Sequence, residues 1–140
     1  MKLTRRNAIA IGSGALAFVG LSGLPALASA TDEAIAAITG GAEMGEGAVS
    51  ITAPEIAENG NTVPIAVDAP GATEITLFAD GNPIPNVATV KFGPLSASRS
   101  ASTRIRLART QNVIAIAKME DGSFQMAKAA VKVTIGGCGG

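Results

Sequence analysis

The sequence predicts an all-β fold: an immunoglobulin-like antiparallel β-sandwich with a short N-terminal helix and a flexible C-terminal arm. Three observations carry this prediction. Downstream of Gly40-Gly41, apolar residues recur at every second position in about seven short stretches. Clusters of Gly, Pro, Asn and Asp separate those stretches at regular spacing. The last stretch, apolar at Val131, Val133 and Ile135, runs directly into Gly136-Gly137-Cys138-Gly139-Gly140.

Residues 1–30 read as a Tat-type signal peptide. Arg5 and Arg6 are the export signal, an apolar run follows, and Ala28-Ser29-Ala30 is a small-residue cleavage site. Four glycines and Pro25 interrupt the apolar run, which argues against a stable membrane anchor. Removing residues 1–30 from 140 leaves 110, enough for one domain with its own core. The expected division is 1–30 signal, 31–135 β-sandwich domain and 136–140 carrier arm.

Residues 31–38 predict a helix. Thr31 is its N-cap, Asp32 and Glu33 suit the positive end, and Gly40-Gly41 stops it. A brief strand at 48–52 ends before Pro54. Residues 62–68 alternate, with Val63, Ile65 and Val67 on one face; Pro64 among them predicts an edge or a bulge. Residues 73–79 place Ile75 and Leu77 inward, leaving Phe78 on the opposite face. Residues 87–92 and 102–107 alternate again, the latter with Arg104 and Arg106 outward. Residues 113–119 are apolar on both faces until Lys118 and predict a central strand. That stretch and Phe78 together exceed what one sandwich buries, so they predict an apolar face for a partner. Residues 120–123 form a hairpin turn, and 124–135 the last strand, with a change of phase near Ala127 that predicts a bulge.

Composition excludes several kinds of chemistry. There is no His, so Ser-His-Asp and Cys-His catalysis have no base, and neither a catalytic residue nor a metal ligand set is predicted. No cofactor is expected. Three of the 11 basic residues lie in the signal, leaving 8 against 11 acidic ones, a balance unsuited to nucleic acid. The charges are also partitioned. Residues 31–90 carry only acidic side chains, and those from Lys91 onward are basic except Glu120 and Asp121. Such a division either pairs across strands or orients a partner or an anionic cargo.

The single cysteine, Cys138, cannot form an internal disulfide. Glycine on both sides makes the arm thin and conformationally free, with a reach of about 17 Å from Ile135 over five residues. No cation within the arm lowers the thiol pKa, so Cys138 reads as a handle for other proteins rather than a self-activated nucleophile. An odd cysteine in an exported protein also suits an intermolecular disulfide, which leaves a second reading: a non-catalytic periplasmic binding module that dimerises through Cys138.

The twin-arginine signal, the small sandwich and the terminal Gly136-Gly137-Cys138-Gly139-Gly140 resemble the SoxY family, the covalent sulfur carriers of thiosulfate oxidation. Pro54-Glu55-Ile56-Ala57-Glu58-Asn59-Gly60, followed by Val63-Pro64, is similar to the family as well. The resemblance implies that Cys138 is the sulfur attachment site and that Gly136, Gly137, Gly139 and Gly140 support the movement of the arm. It implies a periplasmic carrier, not an enzyme, paired with a SoxZ-like β-sandwich subunit in a heterodimer. It implies three further partners: a c-type haem enzyme that joins thiosulfate to the cysteine, a dimanganese hydrolase that releases sulfate and, where present, a sulfur dehydrogenase containing molybdenum and haem.

Overall fold

The computed structural model describes residues 26–136 of the chain. Its elements in order are α1 (Ala26–Thr39), β1 (Met44–Glu46), β2 (Ser50–Thr52), β3 (Ile56–Ala57), β4 (Val63–Asp68), β5 (Ala72–Ala79), β6 (Asn86–Lys91), β7 (Ser100–Ile105), β8 (Gln111–Met119) and β9 (Phe124–Val133). One sheet runs β1-β9-β8-β5-β6, with β3 also on β9, and the second runs β2-β4-β7. The two sheets make the expected β-sandwich. Val63, Ile65 and Val67 from β4 face Ile75, Leu77, Val113, Ala115 and Val131 of the larger sheet in one buried cluster. Strand β8, apolar on both faces, lies in the interior of its sheet, where each face is covered.

A second core covers the other face of the large sheet. Phe78, Ile114 and Ile116 are buried there against Ile35 of α1, with Met44, Phe124 and Met126 beside them. This corrects the reading of surplus apolar surface. Phe78 is fully buried within the chain, and the helix takes the place assigned to a partner. Helix α1 itself begins at Ala26, five residues upstream of the expected start, so Thr31 is a buried residue inside the helix and not its N-cap. The helix ends as expected: the Gly40 N–H donates to Ala36 O at 2.8 Å, and Gly40 and Gly41 hold φ of 65° and 78°, a region that favours glycine.

The two cores also explain the phase of β9. Its pairing with β8 is continuous from Gln111↔Val131 to Lys118↔Phe124, so there is no bulge at Ala127. Phe124 and Met126 lie under the helix, whereas Lys128 and Lys132 are exposed. Ala127, Val131 and Val133, on the opposite face, pack into the sandwich throughout. One strand face therefore reads apolar and then polar because the helix covers half of it. The irregularities occur instead in β5, between Leu77 and Phe78 against β6 and between Ala72 and Glu74 against β8.

Two strands have no sequence signature. β1 and β3 have three and two residues, too few for periodicity. Both pair with the outer edge of β9, and both do so in parallel, unlike the rest of the sandwich. Between them the chain crosses to the small sheet as β2. The outer edge of β9 is thus covered at both ends, which hides an otherwise open row of backbone donors and acceptors. Pro64 fits the same logic. β2 pairs only with Ala66–Asp68, so Pro64 stands where β4 lacks a neighbour on that side and its missing N–H breaks no ladder there.

The β8–β9 turn is closed by Asp121, whose carboxylate accepts from the Ser123 hydroxyl at 2.6 Å and from the Ser123 N–H at 2.9 Å. Both bonds favour the ionised form and hold this carboxyl below the usual Asp range. Its contribution to the turn is present at neutral pH and is lost as the pH falls through the depressed pKa. In an NMR titration, Asp121 is expected to protonate below the usual Asp range, and Ser123→Ala to raise its midpoint by removing the hydroxyl bond. An Asp121 midpoint that Ser123→Ala leaves unmoved would refute the assignment.

Candidate functional site

The predicted site is the arm, and the structure shows what holds its root. β9 loses its β8 partner after Val131, because β8 starts at Gln111. Past that point side chains and loop carbonyls replace the strand. On one flank, Thr110 Oγ1 accepts from the Val133 N–H at 2.9 Å and donates to Val133 O at 3.4 Å. On the other, residues 55–60 grip the chain. The Lys132 N–H donates to Glu55 O at 2.9 Å, the Thr134 N–H donates to Ala57 O at 3.1 Å, and the Gly60 N–H donates to Ile135 O at 2.7 Å. Thr134 Oγ1 adds a bond to Glu58 O at 3.1 Å. Gly60 in turn accepts from the Leu107 N–H at 2.8 Å, and Leu107 is fully buried. The grip is therefore fastened to the core.

The neighbouring loops are braced too. Gln111, buried at the start of β8, accepts from the Gly81 N–H at 2.8 Å and donates to Asn82 Oδ1 at 2.8 Å. Asn82 Oδ1 also accepts from the Ala108 N–H at 2.9 Å, and Asn82 Nδ2 donates to Arg106 O at 2.8 Å. Asp80 accepts from both the backbone and the side chain of Asn112. The β5–β6 and β7–β8 connections are thus tied together at the end of the sandwich from which the arm leaves. The sequence marked Asp80-Gly81-Asn82 as a turn only. Its long-range partners lie some 30 positions away, and spacing does not reveal them.

Ile135 does not face inward as predicted. It lies past the end of β9 and is 62% exposed, as is Ile56 at 56%. On the small sheet is a largely apolar groove of about 620 Å³, with Pro54, Pro64, Ala66 and Arg104 among its lining residues. The charge partition is not neutralised by ion pairs. Among the described residues one ion pair occurs, Arg99–Glu120 at 3.6 Å, where Arg99 also lies 5.8 Å from the Phe92 ring centroid. Cross-strand neighbours supply part of the balance, since Glu74 is in register with both Lys91 and Lys118.

Of the predicted site residues, Gly136 is the last one described, half-buried at the exit of the clamp. Gly137, Cys138, Gly139 and Gly140 lie outside the described residues, as do Arg5 and Arg6. Among the described residues no three His, Cys, Asp or Glu side chains form a group able to hold a metal ion. No described helix is long and apolar enough to cross a membrane. The residues that sequence reasoning missed are Thr110 and Thr134, whose roles follow from where β8 and β9 stop pairing.

The fold and the arm root have relatives. The structure is similar to the sulfur carrier protein SoxY from Chlorobium limicola f thiosulfatophilum, with 41% sequence identity and a TM-score of 0.67 over 77% of this chain and 99% of that one. A superoxide reductase (neelaredoxin) from Ignicoccus hospitalis shares the fold at 21% identity and a TM-score of 0.55, over 61% of this chain and 78% of its own. So does a putative superoxide reductase from Thermotoga maritima, at 20% identity and a TM-score of 0.52, over 65% and 87%. At those identities the likeness concerns the fold alone. No curated protein sequence matches the chain. The profile of the sulfur oxidation protein SoxY matches residues 35–138, from the helix residue that packs on Phe78 to the single cysteine. With a match over that span and a solved relative that shares two residues in five, the chain belongs to the SoxY family of sulfur oxidation proteins.

Proposed function

We propose that this protein is a covalent sulfur carrier of periplasmic thiosulfate oxidation, with Cys138 as the attachment site. The observation that carries the reading is the position of the cysteine. It is the only one in the chain, it stands at the last residue matched by the family, and it follows a root gripped from both flanks. A handle of this kind suits a substrate that must visit several enzymes while remaining attached.

The chemistry balances as two steps. The Cys138 thiol and thiosulfate form a new S–S bond, giving the S-thiosulfonate with loss of two electrons to the c-type haem enzyme and one proton to water. Water then attacks the terminal sulfonate at the dimanganese hydrolase. The S–S bond to the sulfonate sulfur breaks, sulfate and a proton leave, and a persulfide remains on Cys138. A sulfur dehydrogenase, where the system has one, oxidises that outer sulfur. The sequence has no His to act as a base in these steps. The chain's part is to present the sulfur and to be recognised.

Intact-mass measurement of protein from cells grown on thiosulfate tests the reading. The expected result is a gain equal to one thiosulfate unit or one sulfur atom, located on Cys138. A cysteine found only as a homodimer disulfide would replace the carrier by the dimerising module. The signal in residues 1–30, with Arg5 and Arg6, supports export to the periplasm.

The SoxZ-like partner is part of the same proposal. The face first assigned to it is filled by α1, so support for a heterodimer now comes from the family resemblance and from the apolar side chains that remain outside, Ile84 and Leu95 among them. Sedimentation of natively purified material at micromolar concentration is expected to give a heterodimer with a second small β protein. A monomer would remove this partner.

A further inference from the structure

We propose that the clamp around residues 132–135 is a positioning device that sets the pivot of the arm and the distance Cys138 can travel, with Thr110, Thr134 and Gly60 as its positioning residues. The proposal rests on Cys138 as the attachment site but concerns a different property, the place where the arm begins. The strand could have ended anywhere after its last β8 partner, Val131. Five backbone groups beyond that point are nonetheless bonded: the N–H groups of Lys132, Val133 and Thr134, and the carbonyls of Val133 and Ile135. Burial accounts for only part of it: Val133 packs against the sandwich core, but Thr134 and Ile135 are exposed, so hydrogen bonds hold the end of the segment. The grip extends through Ile135, and the glycines start at the next residue.

The consequence is a short arm on a fixed base. Cys138 stands three residue steps beyond Ile135, a reach of about 10 Å; released back to Val131 the arm has seven steps, about 24 Å. A longer tether spreads the thiol through a larger volume, and its effective concentration at a docked enzyme's cleft falls roughly as the −3/2 power of length, here about three- to fourfold. The clamp therefore raises the chance that the arm finds the cleft of an enzyme docked beside it. It is also releasable without loss of the fold, because its side-chain members Thr110 and Thr134 lie on the surface.

The test uses the full chain with its partner subunit. Thr110→Val with Thr134→Val removes both hydroxyls at nearly constant shape. Three results are expected: faster amide exchange at Val133 and Thr134, a narrower spectrum from a nitroxide on Cys138, and a fall in kcat/KM with the c-type haem enzyme that reaches three- to fourfold if the remaining backbone bonds also open, at an unchanged melting temperature. Thr134→Ser, which keeps the hydroxyl, should restore the parent values in the presence of Thr110. A second variant keeps the clamp and lengthens the arm by four glycines after Gly136. It should reproduce the kinetic loss with parental exchange at Val133 and Thr134. Unchanged exchange and nitroxide mobility in the double valine variant would overturn the proposal, as would a lengthened arm that worked at the parent rate. The carrier reading fails separately, through the absence of sulfur on Cys138, and the exchange and nitroxide measurements do not depend on it.

Discussion

Cys138→Ser is expected to abolish sulfur loading and thiosulfate-dependent respiration while leaving the melting temperature and partner binding at parental values. Serine keeps the size of the side chain and the freedom of the arm. What it removes is the thiol, the one soft sulfur nucleophile of this chain; a hydroxyl is scarcely ionised at neutral pH and does not replace it. The effect is total rather than graded, because no second cysteine exists to take over. Mass spectrometry of the loaded protein and oxygen uptake with thiosulfate check it, and any sulfur adduct on the serine variant would place the attachment site elsewhere. A companion change separates chemistry from mobility. Gly136→Pro with Gly137→Pro keeps the thiol but fixes φ near −65° at both positions and thickens the arm. A small alkylating reagent should react with Cys138 at close to the parent rate, whereas turnover by the partner enzymes should fall steeply. Parental turnover in that variant would remove the need for a mobile arm.

Phe78→Ala is expected to produce the largest loss of stability. Phe78 is the largest fully buried side chain, and it lies where β5, β8 and α1 meet, against Ile35, Ile114 and Ile116. Truncation removes the ring from a closed core and leaves a cavity, at a cost of about 3–5 kcal/mol. For a domain of this size that lowers the melting temperature by on the order of 10–20 °C. Ile35→Ala should cost less, because Ile35 lies on a helix at the margin of the cluster. The double variant should lose less than the sum, since the two side chains touch the same neighbours. Urea unfolding monitored by circular dichroism checks both. A change below about 1 kcal/mol for Phe78→Ala would mean that α1 is not packed as described, and would return the outer face of the large sheet to a partner.

Most of the sandwich was legible in the sequence, for a simple reason. Val63, Ile65 and Val67, then Ile75 and Leu77, each alternate over enough residues for period two to stand out, and Asn, Gly and Pro mark the turns between them. The continuous apolar run at 113–117 announced a strand covered on both faces. What covered the second face was not legible. Phe78 reads the same whether a partner or the chain's own helix lies over it, and only the packing of Ile35 against it decides. The false bulge at Ala127 has the same origin, a helix that covers half of a strand.

The nature of the arm, its single soft nucleophile and its supporting glycines are properties of residue type, and the sequence by itself determined them: Cys138 has no competitor, and Gly136 and Gly137 precede it wherever the sandwich places them. Family membership rests on the match over residues 35–138 and on the 41% identical solved relative. Where the arm begins was decided by tertiary structure alone. Two strands too short to have a pattern, β1 and β3, close the edge of β9, and a threonine 23 positions upstream supplies the hydroxyl that β8 can no longer replace. Hydrogen bonds between distant loops carry no periodicity, because backbone groups are the same for every residue. A sequence therefore shows which chain segment can move, and only the fold shows the point at which movement is stopped.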